Sequence, residues 1–214
     1  MKFSLIRPAA MMAMALSLAS CGGGGDDTYT VAGTVEGLVY PNLVLTTNGV
    51  DITVAPPAKA GDPVTFTSPK KLEYGDTYNV TVKTPPPHQS CGVDPRYQLS
   101  AADTAGRLAV INARFVCAIN AYTLGGKVTG LTKDNTGLVL ANGSNTGTTV
   151  IIPSTTDTTG AAFDYQMAGS VQYNQTYSVA VITQPTGRFC TVENPTGTMG
   201  DANVTNININ CVPR

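Results

Sequence analysis

The sequence predicts an all-β protein of two tandem antiparallel β-sandwich domains, each closed by one disulfide. Three observations predict it: a pattern of about 90 residues written twice, apolar residues that alternate, and a composition that disfavours helices. Of 214 residues, 42% are hydrophobic and 13% charged, where about 25% charged is usual. Thr, Asn, Ser and Gly fill the deficit. A chain rich in Val and Thr but poor in Lys and Glu favours strands.

The repeat is legible word by word. Tyr29-Thr30-Val31-Ala32-Gly33-Thr34-Val35-Glu36-Gly37-Leu38 returns as Tyr122-Thr123-Leu124-Gly125-Gly126-Lys127-Val128-Thr129-Gly130-Leu131. Leu43-Val44-Leu45 with Asn48-Gly49 returns as Leu138-Val139-Leu140 with Asn142-Gly143. Tyr74-Gly75-Asp76-Thr77-Tyr78-Asn79-Val80 returns as Tyr173-Asn174-Gln175-Thr176-Tyr177-Ser178-Val179. Asn-Gly between apolar runs predicts a hairpin, because both residues tolerate φ > 0. Tyr78, Val80 and Val82 alternate, as do Tyr177, Val179 and Val181, so each set gives a strand one apolar face. Pro85-Pro86-Pro87 and Gln184-Pro185-Thr186-Gly187 end those strands. About seven short strands per repeat predict an immunoglobulin-like sandwich. The repeats span 29–119 and 120–214. A joint this short leaves them end to end with limited bending.

The first residues do not belong to that fold. Lys2 and Arg7 precede an apolar run from Ala9 to Ala19, interrupted by Ser17. The run is about half the roughly 20 residues that a membrane span requires, and reads as a signal peptide over 1–20. Leu18-Ala19-Ser20-Cys21 resembles the lipobox of bacterial lipoproteins. The resemblance implies that Cys21 carries diacylglycerol, that cleavage falls before it, and that the new amino terminus is acylated. Two or three chains anchor stably where one does not. Residues 21–28 then form a lipidated, Gly-rich tether. Gly22, standing where an Asp marks inner-membrane retention in that family, implies the outer membrane.

Cys21 has no counterpart in the repeat; the other four cysteines do. Export makes disulfides available, and of the three possible pairings the repeat selects Cys91–Cys117 and Cys190–Cys211. Strand phase agrees: Ile207, Ile209 and Cys211 share a face, as do Ala113, Phe115 and Cys117. No C-x-x-C is present, and the single histidine, His88, cannot complete a zinc site. No metal or other cofactor is expected.

Nor does a catalytic constellation emerge. His88 lies in a proline-rich loop where solvent exposure is expected, no G-x-S-x-G elbow occurs, and the carboxylates are scattered. An enzyme is not expected. A net charge of −1 without a Lys/Arg cluster excludes a nucleic-acid surface. Asn-x-Ser/Thr sequons at Asn79, Asn142, Asn174 and Asn203 follow from composition. The first repeat departs from the second between its cysteines, which makes His88, Arg96 and Tyr97 candidate contact residues. A binding module would group exposed aromatics such as Tyr40, Tyr74 and Tyr97 on one face.

Two further resemblances bear on architecture. Leu72 to Val80 resembles the corner of fibronectin type III and related sandwiches, which implies tyrosine-corner roles for Tyr78 and Tyr177. The chain departs from antibody domains in having no Trp, and in having Val80 and Val179 where those domains carry cysteine. In the second repeat, Tyr177-Ser178-Val179, Gln184-Pro185-Thr186-Gly187-Arg188-Phe189-Cys190-Thr191-Val192 and the closing strand to Cys211 resemble a repeat of bacterial surface and secreted proteins to which no activity is assigned. The expectation is a lipid-anchored envelope protein in a structural or interaction role. The alternative is a carbohydrate- or peptide-binding module using the loops of the first repeat. The partners expected are the membrane, through the lipid, and a protein or glycan.

Overall fold

The computed structural model describes residues 28–108, 110–143 and 147–214. The lipobox, Cys21 and the tether as far as Asp27 lie outside these residues. The first half carries β1 (Tyr29–Glu36), β2 (Leu43–Thr47), β3 (Val50–Val54), β4 (Val64–Leu72), β5 (Thr77–Asn79), β6 (Thr81–Thr84), β7 (Gln89–Val93), β8 (Ala102–Thr104) and β9 (Ile111–Ile119). The second carries β10 (Ala121–Tyr122), β11 (Gly125–Thr129), β12 (Leu138–Asn142), β13 (Thr148–Ile151), β14 (Phe163–Gln166), β15 (Val171–Gln172), β16 (Thr176–Thr183), β17 (Arg188–Val192), β18 (Thr196–Thr198) and β19 (Ile209–Pro213). Among the described residues, no helix is long and apolar enough to cross a membrane.

The sheets repeat as the sequence does. The order β4-β1-β9-β7 returns as β14-β11-β19-β17, and β3-β2-β6 returns as β13-β12-β16. The pair β5-β8 corresponds to the start of β16 with β18. Each half buries its own core. Val31, Val35, Leu43, Leu45, Phe66 and Phe115 belong to the first cluster. Leu124, Val128, Leu138, Leu140, Ile207 and Ile209 belong to the second. Alternation explains the membership, since successive side chains point to opposite faces. In β1, Val31 and Val35 go inward while Thr30 stays in solvent.

Two features depart from expectation. The sheets are not wholly antiparallel: β1 runs parallel to β9, with Val31 opposite Ile111, and β11 runs parallel to β19, with Val128 opposite Ile209. The strand that closes each half returns beside the one that opened it, and everything between them serves as the crossover that a parallel pair requires. The two Asn-Gly pairs also differ. Asn48 and Gly49, both with positive φ, form the two-residue turn between β2 and β3. Asn142 instead ends β12 with its side chain buried, accepting from the Ser178 N–H at 2.9 Å. The β12–β13 hairpin therefore has the longer loop.

Both expected disulfides are present, Cys91–Cys117 and Cys190–Cys211. Each joins directly opposed residues of one sheet, β7 to β9 and β17 to β19. Each therefore staples an edge strand to its neighbour, whereas the antibody-domain bridge links two sheets. Tyr78 is buried and Tyr177 packs against Gly197; among the described residues, neither hydroxyl makes the backbone bond of a tyrosine corner. The tyrosine that does bond backbone is Tyr165, whose hydroxyl donates to the Ile207 carbonyl at 2.9 Å. Burial pushes its phenol up to about 12.

Candidate functional site

The proline run Pro85-Pro86-Pro87 ends β6 and delivers His88, at φ 60°, to the junction of the halves. Asn120, the single residue between β9 and β10, is held from both sides. Its N–H donates to the His88 carbonyl at 2.8 Å, and its carbonyl accepts from the Tyr173 N–H at 2.8 Å. The Ser90 hydroxyl donates to the Asn120 side chain at 2.7 Å. Above this backbone link, the His88 ring lies flat on Tyr173, with centroids 3.7 Å apart and planes 3° from parallel. Tyr40 meets both rings edge-on, at 5.1 and 6.0 Å. Imidazole Nδ1 lies 2.8 Å from the Asp201 carboxylate, within hydrogen-bond distance.

The expectation of a solvent-exposed His88 is therefore corrected: its side chain keeps 25% of its exposure and clasps one half to the other. A carboxylate that orients an imidazole also makes two of the three members of a hydrolytic triad, while the Ser90 hydroxyl, two residues along the chain, donates to Asn120. A stacked aromatic pair is worth about 0.5–1.5 kcal/mol, and this pair belongs to the junction, outside both cores. His88→Ala is expected to broaden the relative orientation of the halves in residual dipolar couplings and solution scattering, with little change in melting. Unchanged couplings would show that the backbone bonds of Asn120 hold the junction alone.

Arg96 and Tyr97 lie at the other end of β7, about 17 Å away by strand rise, so the structure does not group them with His88. Asp94 caps a 3₁₀ turn over Pro95–Tyr97 by accepting from the Arg96 N–H at 2.9 Å. The Arg96 guanidinium folds back onto the same carboxylate at 2.7–3.1 Å and reaches Glu36 at 3.0 Å. Arg96's hydrogen bonds hold the Asp94 carboxyl below the usual range. A depressed carboxyl stabilises above its unfolded pKa, so this latch is lost as pH falls through the folded value. Arg114 lies over the Tyr97 ring at 4.6 Å, a cation–π contact that leaves the phenol half-exposed. Such a pair offers a stacking face and an anion-binding edge. Among the described residues, Tyr40, Tyr74 and Tyr97 make no ring contact with one another.

A groove of about 670 Å³ opens between β3 and β4, lined by the buried Ile52, Val54 and Phe66 and by Lys59 and Asp62 of the connecting loop. The repeat explains why it is open. In the second half the corresponding loop is tied down: the Gly130 N–H donates to Gly160 at 3.0 Å and the Lys133 N–H to Asp157 at 2.7 Å. In the first half the donor equivalent to the Lys133 N–H, that of Tyr40, goes instead to the buried Gln89 side chain at 2.9 Å, which also accepts from the Val39 N–H at 2.8 Å and donates to the Gly37 carbonyl. The loop Ala55–Pro63 is left without those anchors.

Tyr173, Asp201 and Gln89 are residues that sequence reasoning missed. Tyr173 carried a signal: it copies Tyr74, and only the second copy has a neighbouring half to meet.

No protein-family model matches the chain, and no curated protein matches it. The Bacillus anthracis TIE protein is a distant structural match, 13% identical over 86% of this chain with a TM-score of 0.41. A leucine-rich repeat protein from Bacteroides thetaiotaomicron VPI-5482 matches at 13% identity over 86% of this chain with a TM-score of 0.20. The chain spans 34% and 26% of those proteins. Neither likeness bears on what this chain does.

Proposed function

We propose that the chain is a lipid-anchored protein of the bacterial cell envelope, held at the outer membrane, that displays two immunoglobulin-like β-sandwich domains in a non-catalytic structural or interaction role. One observation carries it: the four repeated cysteines staple the two halves, while the single unrepeated one, Cys21, ends a lipobox-like word. The sandwich reading is supported by two sheets contributing to one core in each half. The clasp at His88 suits a stalk that holds its far end at a fixed distance. Cys21→Ser is expected to abolish incorporation of labelled palmitate and to release the protein from the membrane fraction. Retained label would overturn the anchor.

The second reading, a peptide-binding module, is favoured by the open groove between β3 and β4. Edge strands add extended peptides through main-chain hydrogen bonds, and β3 and β4 are both the last strands of their sheets.

A further inference from the structure

We infer that the tether end of the first half is a lipid-facing surface, with Tyr74, Leu108 and Val110 seated against the bilayer that holds the anchor. The inference rests on the lipid-anchor reading and assigns that anchor a second, non-covalent contact.

The strand register places these residues at one end. Tyr29 opens β1 opposite Leu72, the last residue of β4. The parallel pairing of Val31 with Ile111 brings the start of β9 to the same end. Val110 immediately precedes β9, and Leu108 stands two residues before it. Tyr74 follows β4 by two residues and lies against Gly106, near the Tyr29 hydroxyl. This end leaves Tyr74 77%, Leu108 51% and Val110 74% exposed. Tyr74 and Val110 are among the most exposed large apolar side chains described.

The repeat supplies the contrast. Tyr173, the copy of Tyr74, is covered at the junction by His88 and Tyr40. Asp201, in the position of Arg107, bonds His88. At the same end of the first half, Tyr74, Leu108 and Val110 each keep half or more of their exposure. What lies beyond it in sequence is Cys21 to Asp27, a reach of at most about 25 Å. A domain tethered so closely presents this end to the headgroups. Tyrosine, with an apolar body and a polar tip, suits that boundary, as the interfacial belts of membrane proteins show. Leu and Val supply apolar area to bury. Lys70, Lys71 and Arg107 are offset here by Glu73, Asp76 and Asp103, so the contact is one of apolar insertion with little dependence on lipid charge.

The test uses residues Gly22 to Arg214, made without leader or Cys21 and carrying no acyl group, so the result does not depend on Cys21. Its co-sedimentation with vesicles of phosphatidylethanolamine and phosphatidylglycerol is compared with that of the triple variant Tyr74→Ser, Leu108→Ser, Val110→Ser. The expected result is measurable binding, little changed by salt, that falls about tenfold in the triple variant, while circular dichroism and melting stay constant. Binding retained by the triple variant, or no binding by the parent, overturns the proposal. So does a parent that dimerises in sedimentation equilibrium through these residues, because the occupant is then a second copy of the chain. The palmitate experiment fails or succeeds separately.

Discussion

Removal of the Cys190–Cys211 bridge, by substituting both residues with alanine, is expected to destabilise the second half by about 3 kcal/mol. The bridge closes 21 residues and its counterpart 26, and in the chain-entropy model such loops confine the unfolded chain by about 3–3.5 kcal/mol. That is a large share of a domain stability of roughly 5–15 kcal/mol. The position in the sheet adds to the effect. β17 is an edge strand whose partner is β19, and β19 carries Ile209 and Cys211 into the core. The bridge is therefore the covalent tie between the core's closing strand and the strand that covers it. Each half has a separate core, so the loss is expected to be local. The transition of the second half should fall by about 12–24 °C in calorimetry, with that of the first half unmoved. Cys91→Ala with Cys117→Ala should do the reverse. A loss under about 1 kcal/mol would contradict the entropic account. Parallel movement of both transitions would show that the His88 clasp makes the halves one cooperative body.

The staples were legible in the sequence because two independent signals agreed, the repeat and strand phase. Ile207, Ile209 and Cys211 could be placed on one face from alternation alone, and all three are buried. What alternation cannot carry is direction. A strand shows the same apolar rhythm whether its neighbour runs with it or against it, so the parallel pairing of β1 with β9 left no trace in the residues. Turn signals were weakened by neighbours: Asn48-Gly49 makes its turn, but Asn142 is drawn into a buried bond with Ser178. The junction was legible only as a short linker. His88 reads as a loop residue because its partners, Tyr40, Tyr173 and Asp201, lie far off in sequence, and a contact with a neighbouring half has no local pattern. The groove between β3 and β4 was hidden for a similar reason, since it depends on where a single buried glutamine sends its hydrogen bonds.

Gly130→Ala is expected to cost about 3–5 kcal/mol, combining a left-handed backbone conformation with a steric collision. Gly130 follows β11 at φ 81°, and a Cβ built there would lie 2.0 Å from the Cys211 carbonyl oxygen. That oxygen belongs to β19 beside the disulfide, so neither side can yield without disturbing the parallel pair. The N–H of Gly130 also holds the loop at Gly160, and displacing the residue would loosen that anchor. The repeat provides two controls. Gly37, the equivalent residue of the first half, has φ 72° and would place its Cβ 2.4 Å from the Cys117 carbonyl oxygen, so Gly37→Ala should cause a comparable loss there. Gly49 has φ 76° but nothing within 4 Å, so Gly49→Ala isolates the backbone contribution, about 1–2 kcal/mol. Urea unfolding of the three variants would therefore separate conformation from contact. Equal losses at all three positions would mean that the collisions are relieved by movement of β9 and β19, and that the closing strand of each half is less firmly seated than its burial implies.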